Sequence, residues 1–289
     1  MILVLAAGLF AISSAAVLIK ACDAPPLAIA FYRLLFGAGF YLLLMWRKEG
    51  FWVHIKGHMK GLFLSGLALA LHFATWITSL GFTSVASSVV LVCTSPLWVS
   101  IGAALFLKEK TSYLMGLGLV VTLAGSLIIS RADFSIAPEQ LIGNALALSG
   151  ALFAAVYLLI GRKLRPVMDT VPYVTLVYSV AALVTGLFVL LSKTPLVGYN
   201  YQTYWLMLAI AFLPQVIGHT SFNWSLKYYS ATAVSIVILA EPVGASALAW
   251  LFLGESVTPV QLTGMIIILT GVGFSLYAEH RQNKRAKAG

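Results

Sequence analysis

Apolar residues in this chain of 289 residues come in long runs, not in alternation. Breaks fall where charge, Pro, Gly and Asn cluster. They leave apolar segments at 2–19, 26–46, 61–80, 85–107, 112–130, 141–160, 171–192, 203–225, 231–253 and 259–278. Each is close to the roughly 20 residues that a helix needs to cross about 30 Å of hydrocarbon. The runs are too continuous for barrel strands, which alternate over segments of about ten residues. The pattern predicts an all-α integral membrane protein with ten transmembrane helices. Ser13-Ser14-Ala15-Ala16 could close a signal peptide, but no basic residue precedes the first run. We therefore read it as a span.

Composition agrees. Hydrophobic residues make up 61% and charged residues 9%, and the mean hydropathy is +0.97. A soluble domain is about half apolar and about a quarter charged. A soluble enzyme, a disordered chain and a disulfide-stapled secreted domain are excluded on this ground. Cys22 and Cys93 give no disulfide framework and no metal-ligand spacing, so no cofactor or metal is expected.

The 18 Lys and Arg against 9 Asp and Glu would suggest nucleic acid in a soluble protein. In a chain this apolar they mark loops retained on the inner side of a membrane, and no nucleic-acid partner is expected. With the N-terminus inside, the inner segments hold Arg47, Lys48, Lys56, Lys60, Lys108, Lys110, Arg162, Lys163, Arg165, Lys227, Arg281, Lys284, Arg285 and Lys287. The outer ones hold Lys20, Arg131 and Lys193. The expected location is a cell (inner) membrane, with both termini cytoplasmic. No connection is long enough to fold alone.

The chain also repeats itself. Thr83-Ser84-Val85-Ala86-Ser87 returns loosely as Tyr229-Ser230-Ala231-Thr232-Ala233. Pro96 returns as Pro242, Leu105-Phe106-Leu107-Lys108-Glu109 as Leu251-Phe252-Leu253-Gly254-Glu255, Gly118 as Gly264 and Gly125 as Gly271, all at one offset of 146. Upstream the match weakens, with His72 and His219 one residue out of step. The expected repeats are 1–133 and 134–289, the second carrying a short basic tail. Five spans per repeat is an odd number, so the second half must insert upside down relative to the first. A 5+5 inverted repeat is a construction of secondary transporters, whose substrate site lies near midplane between the repeats.

Phe31-Tyr32-Arg33, His72-Phe73-Ala74-Thr75-Trp76, Thr83-Ser84-Val85-Ala86, Glu241-Pro242 and Leu253-Gly254-Glu255 together resemble EamA-type permeases of the drug/metabolite transporter superfamily. The resemblance covers essentially the whole chain. It implies a central cavity shared by the halves, alternating access, and often export of amino acids or other small metabolites. The Leu-Phe-Leu-Gly-Glu segment reads as architecture rather than chemistry.

Polar groups inside hydrocarbon are costly and are default functional candidates. His72, Thr75 and Ser79 share one face of the third span, with Trp76 beside them. Gln215, His219 and Asn223 share one face of the eighth. These are the candidate substrate-binding residues; the bland reading of both stripes is interhelical hydrogen bonding. Arg33 and Glu241 are buried-charge and coupling candidates, opposite approximately Ser179 and Ser95 in the other half. Arg33 could snorkel outward or pair with Glu241 across a height gap of about 9 Å at 1.5 Å per residue. Glu241 could instead carry a proton, or satisfy backbone groups freed by Pro242. Pro96 and Pro242 interrupt their spans at matching places and are candidate hinges.

The expected function is secondary transport of a small-molecule substrate across the lipid bilayer, without enzymatic chemistry: export of amino acids or related metabolites. Efflux of hydrophobic cations is the alternative within the class, and an intramembrane enzyme using His72, His219 and Glu241 the alternative outside it. The sequence leaves room for a homodimer.

Overall fold

The computed structural model describes residues 2–46, 57–83, 88, 91–109, 111–130, 138–253 and 257–288. The loop at 47–56, residues 84–87 of the repeated motif, the repeat boundary near 133 and the Gly254-Glu255 pair lie outside the described residues.

Among the described residues the secondary structure is helical, and it falls into ten segments. α1 is Ile2–Ser13, resumed as Ala15–Lys20. α2 is Pro26–Trp46 and α3 is Met59–Ser79. α4 is Ser95–Gly102, continued by wider π-helical turns over Ala103–Leu107. α5 is Tyr113–Ser130, α6 Pro138–Leu164 and α7 Thr170–Leu191. α8 runs as Tyr201–Ile210, a π-helical Ala211–His219 and Thr220–Ser225. α9 comes in two pieces, Ala231–Ile238 and Glu241–Leu253, and α10 is Pro259–Ala288. Eight of these are long and apolar enough to cross a membrane; Ser95–Leu107 and Tyr113–Ile128 are the shorter apolar pair.

Local chemistry explains several boundaries. The break in α1 falls at Ser14, in a pair of serines whose hydroxyls donate back to their own helix, Ser13 to Leu9 O at 2.8 Å and Ser14 to Ala11 O at 2.7 Å. Asn200 starts α8 by accepting from Thr203 N at 2.7 Å, and Ser230 starts α9 by accepting from Ala233 N at 3.2 Å. α6 runs past the expected residue 160 because Arg162 and Lys163 sit well in its last turn, at the negative end of the helix dipole. α10 runs past 278 because the tail is rich in Lys, Arg, Gln and Ala, which are good helix formers.

The helix neighbours reveal the symmetry. α3 packs on α6 as α8 packs on α1; α3 packs on α7 as α8 packs on α2; α4 packs on α6 as α9 packs on α1. Exchanging the two sets of five helices maps each of these pairs onto its twin. The pairs α2 with α7, α4 with α9 and α5 with α10 map onto themselves. That is the contact pattern of a pseudo-two-fold axis, and with five spans per half the relation is inverted.

The α5–α10 pair shows the axis at atomic scale. Gly118 faces Gly271 and Gly125 faces Gly264. A Cβ on Gly118 would lie 2.6 Å from Gly271 O, and one on Gly125 would lie 2.8 Å from Gly264 O. Only bare backbone permits that approach, so the heptad-spaced glycines serve packing.

One end of the bundle is tied together by charge. Glu109 accepts from Arg162 Nε at 2.6 Å and from Ala231 N at 3.3 Å, while Arg162 Nη1 donates to Leu226 O at 2.8 Å. Glu279 of α10 accepts from both N and Oγ of Ser230, at 2.7 and 2.8 Å. Lys108 takes a left-handed turn, φ 55°, where the chain leaves α4 ahead of Glu109. Arg165 is also fixed here. It is buried and donates to the carbonyls of Asn223 and Met168 and to Thr170 Oγ1, so this loop cation is spent on internal acceptors.

Candidate substrate cavity

The site begins with two broken helices. In α9 the first piece ends at Ile238 and the second starts at Glu241-Pro242. In α4 the chain turns at Cys93–Thr94 and the helix starts at Ser95-Pro96. Proline fits the first turn of a helix, where its missing N–H costs nothing. Each proline therefore opens a half-helix instead of kinking a continuous one. The two starts, Ser95 and Glu241, are equivalent in the repeats, and both lie on the wall of one cavity.

The cavity has a volume of about 80 Å³ and is walled by α1, α2, α3, α4, α6, α8 and α9. Its polar wall includes Arg33, His72, Trp76, Tyr157, His219 and Glu241. Ile12, Leu158, Phe222 and Ile238 supply an apolar side. That volume admits several waters.

Arg33 is 1% exposed and does not snorkel. Its Nε donates to Gln215 Oε1 at 2.7 Å, and its guanidinium carbon lies 4.1 Å from the centroid of the Phe73 ring. Its Nη1 is buried without a hydrogen-bond partner among the described residues. The ion pairs among the described residues are Arg162–Glu109 and Lys227–Asp169. Arg33 and Glu241 thus share a cavity wall without a direct N–O pair.

The two histidines meet around Phe73. His72 lies with Nδ1 2.9 Å from Gly150 O, which makes that nitrogen the donor, and its ring is parallel to Trp76 at 5.9 Å. His219 stands edge-on to Phe73 at 5.3 Å and lies 6.4 Å from the Tyr157 ring.

The other four candidates of the polar stripes are not among the lining residues. Thr75 bonds to Leu71 O at 2.7 Å and lies against Gly150. Ser79 is fully buried between Trp76 O and Ser88 Oγ, both at 2.7 Å. Gln215 is fully buried against Arg33. Asn223 donates to the Tyr157 and Tyr178 hydroxyls and to His219 O.

The causes differ. Small hydroxyls in α3 are satisfied by their own helix. In α8 the i, i+4, i+8 stripe presumes an α-helix, and the π-helical Ala211–His219 around Pro214 changes its phase. Pro214 was the sequence signal of that irregularity. Tyr157, which pattern reading missed, carried a weaker signal: a hydroxyl in the apolar middle of α6.

A cavity at the interface of inverted repeats, opened by two matched half-helices and carrying unpaired polar groups, defines a membrane transporter. The model of the EamA-like transporter family matches residues 1–131 and 141–277, and the chain belongs to that family. It is similar to the protein named Uncharacterized transporter YoaV of Bacillus subtilis (strain 168), 25% identical over 266 residues, covering 90% of each chain. It is also similar to UDP-galactose/UDP-glucose transporter 7 of Arabidopsis thaliana, 26% identical over 204 residues, covering 67% of this chain and 62% of that one. A solved crystal structure superposes with a TM-score of 0.83 at 17% identity, covering 97% of both chains, which shows the shared fold.

Proposed function

We propose that the protein is a secondary transporter exporting amino acids or closely related small metabolites by alternating access, with this cavity as its substrate site. One observation carries the reading: Arg33 and Glu241 line the same cavity, and neither has the other as an ion-pair partner. Arg33 is buried and Glu241 is partly buried, and charges so placed demand a counter-charge. A zwitterion supplies both at once, a carboxylate for Arg33 and an ammonium for Glu241, while its side chain meets Leu158, Phe222 and Ile238. The remaining candidates, His72, Trp76 and His219, complete the wall.

The charge balance weighs against the neighbouring substrate classes. A hydrophobic cation would gain Glu241 and the aromatic rings but would also face Arg33. The pyrophosphate of a UDP-sugar, the substrate named for the Arabidopsis relative, would set its negative charge against Glu241. The repeats 1–133 and 134–289 would rock about the cavity, with Pro96 and Pro242 at the hinges. Both termini would lie on the cytoplasmic face of the cell membrane, which puts the Glu109–Arg162 tie on that face.

The test is counterflow with purified protein in liposomes, with and without a pH gradient, against amino acids, hydrophobic cations and nucleotide sugars. Exchange of unmodified amino acids is the expected result and also separates transport from enzymatic conversion. Exchange confined to cations or nucleotide sugars would overturn the reading.

A further inference from the structure

Gln215 was a candidate substrate ligand, yet the structure gives it a different neighbour. It is 0% exposed, and its Oε1 is taken by Arg33 Nε at 2.7 Å. The side chain is confined: a Cβ on Gly37, one turn along α2 from Arg33, would lie 3.1 Å from Gln215 Cγ. The backbone beneath it is confined too. It lies in the π-helical stretch of α8, where Tyr41 of α2 donates to Val216 O at 3.1 Å. Phe73 of α3 supports the face of the same guanidinium at 4.1 Å.

The guanidinium is therefore held at its Nε and on one face. These contacts leave Nη1, buried and without a partner among the described residues, on a side chain that lines the cavity. An arginine fixed in this way is prepared for a planar anion. The neutrality of Gln215 matters as much as its position. An amide oxygen orients the cation without cancelling it, whereas a carboxylate at 215 would take the place of the ligand's own.

Resting on the zwitterion reading above, we infer that Gln215 is the positioning residue that sets the charge preference of the cavity: it aims Arg33 at the ligand carboxylate and keeps that charge available. Gln215→Glu converts the Arg33 side of the cavity into an internal ion pair and leaves Glu241 as its unbalanced charge. The site then favours an amine over an amino acid. Gln215→Met, similar in length and without an acceptor, frees the guanidinium to turn. It weakens carboxylate binding and leaves amine binding unchanged.

The experiment titrates purified full-length protein in detergent with a matched trio: L-leucine, 4-methylpentanoate and 3-methylbutylamine. The wild-type protein is expected to bind leucine more tightly than either single-charge analogue. In Gln215→Glu, leucine should weaken about tenfold or more, the scale of one lost charge-assisted hydrogen bond, and the amine should become the tightest of the three. In Gln215→Met, leucine and the acid should weaken while the amine keeps its affinity. If Gln215→Glu does not fold, the Gln215→Met pattern decides.

Unchanged affinity ratios among the three ligands in the variants, including equal weakening of all three, overturn the inference while the zwitterion reading stands. A wild-type protein with no preference for leucine over both analogues overturns that reading, and the inference with it.

Discussion

α3 and α8 occupy equivalent places in the two repeats, and each carries a polar stripe that includes a histidine. They are built differently. α3 is a regular α-helix from Met59 to Ser79, whereas α8 is π-helical over Ala211–His219 around Pro214. In both helices the histidine reaches the cavity. What lies a turn away differs: Thr75 in α3 closes on its own backbone, and Gln215 in α8 reaches across to Arg33. The repeat thus supplies a symmetric frame. The departure from symmetry, one proline and the wide turns around it, brings a helix of the second half to the buried cation of the first.

If that contrast is the working asymmetry, Arg33→Leu should have the largest effect. It removes the charge, orphans Gln215 Oε1 and leaves Glu241 unbalanced. Leucine counterflow should fall about a hundredfold or more, on the scale of truncating one member of a buried charged contact. Size-exclusion profiles in detergent would check that the variant is folded.

Pro214→Ala sharpens the comparison by letting α8 recover a backbone hydrogen bond and move toward the geometry of α3. Gln215 would shift from Arg33, and counterflow should fall about three- to tenfold, the worth of one ordinary hydrogen bond. Equal activity would mean that the π-helical turns do not matter to the site.

Thr75→Val and Ser79→Ala should do least. Their hydroxyls bond to carbonyls of their own helix, and the one bond that leaves it, Ser79 to Ser88, is of a weak kind, so counterflow should stay within about threefold of wild type.

The same contrast explains what could be read from the chain alone. Ten helices, two inverted repeats and the matched breaks at Pro96 and Pro242 follow from run length, odd span count and the missing N–H of proline. Each is a local or periodic rule, and each holds at the residues concerned. The cavity wall obeys no such rule. Arg33 meets Gln215 across 182 positions of sequence, and neither residue's neighbours announce the other. The stripe in α8 assumes α-helical phase, which the π-helical turns around Pro214 break. Thr75 and Ser79 share the face of His72 in sequence, yet a short hydroxyl bonds backward where an imidazole reaches outward. Arg165 looks like a loop charge because its burial on Met168 and Thr170 of the following turn and on Asn223 of α8 leaves no mark on the pattern.

The central claim is that the space between the repeats, and not the whole polar stripe, is the path of the substrate. The most direct measurement places single cysteines at His72, His219, Thr75 and Ser79 in a background carrying Cys22→Ser and Cys93→Ser. Labelling with a membrane-impermeant thiol reagent is then followed with and without leucine. The account predicts that positions 72 and 219 label and are protected by leucine, while positions 75 and 79 stay inert. Labelling and protection at 75 and 79, with 72 and 219 inert, would contradict it.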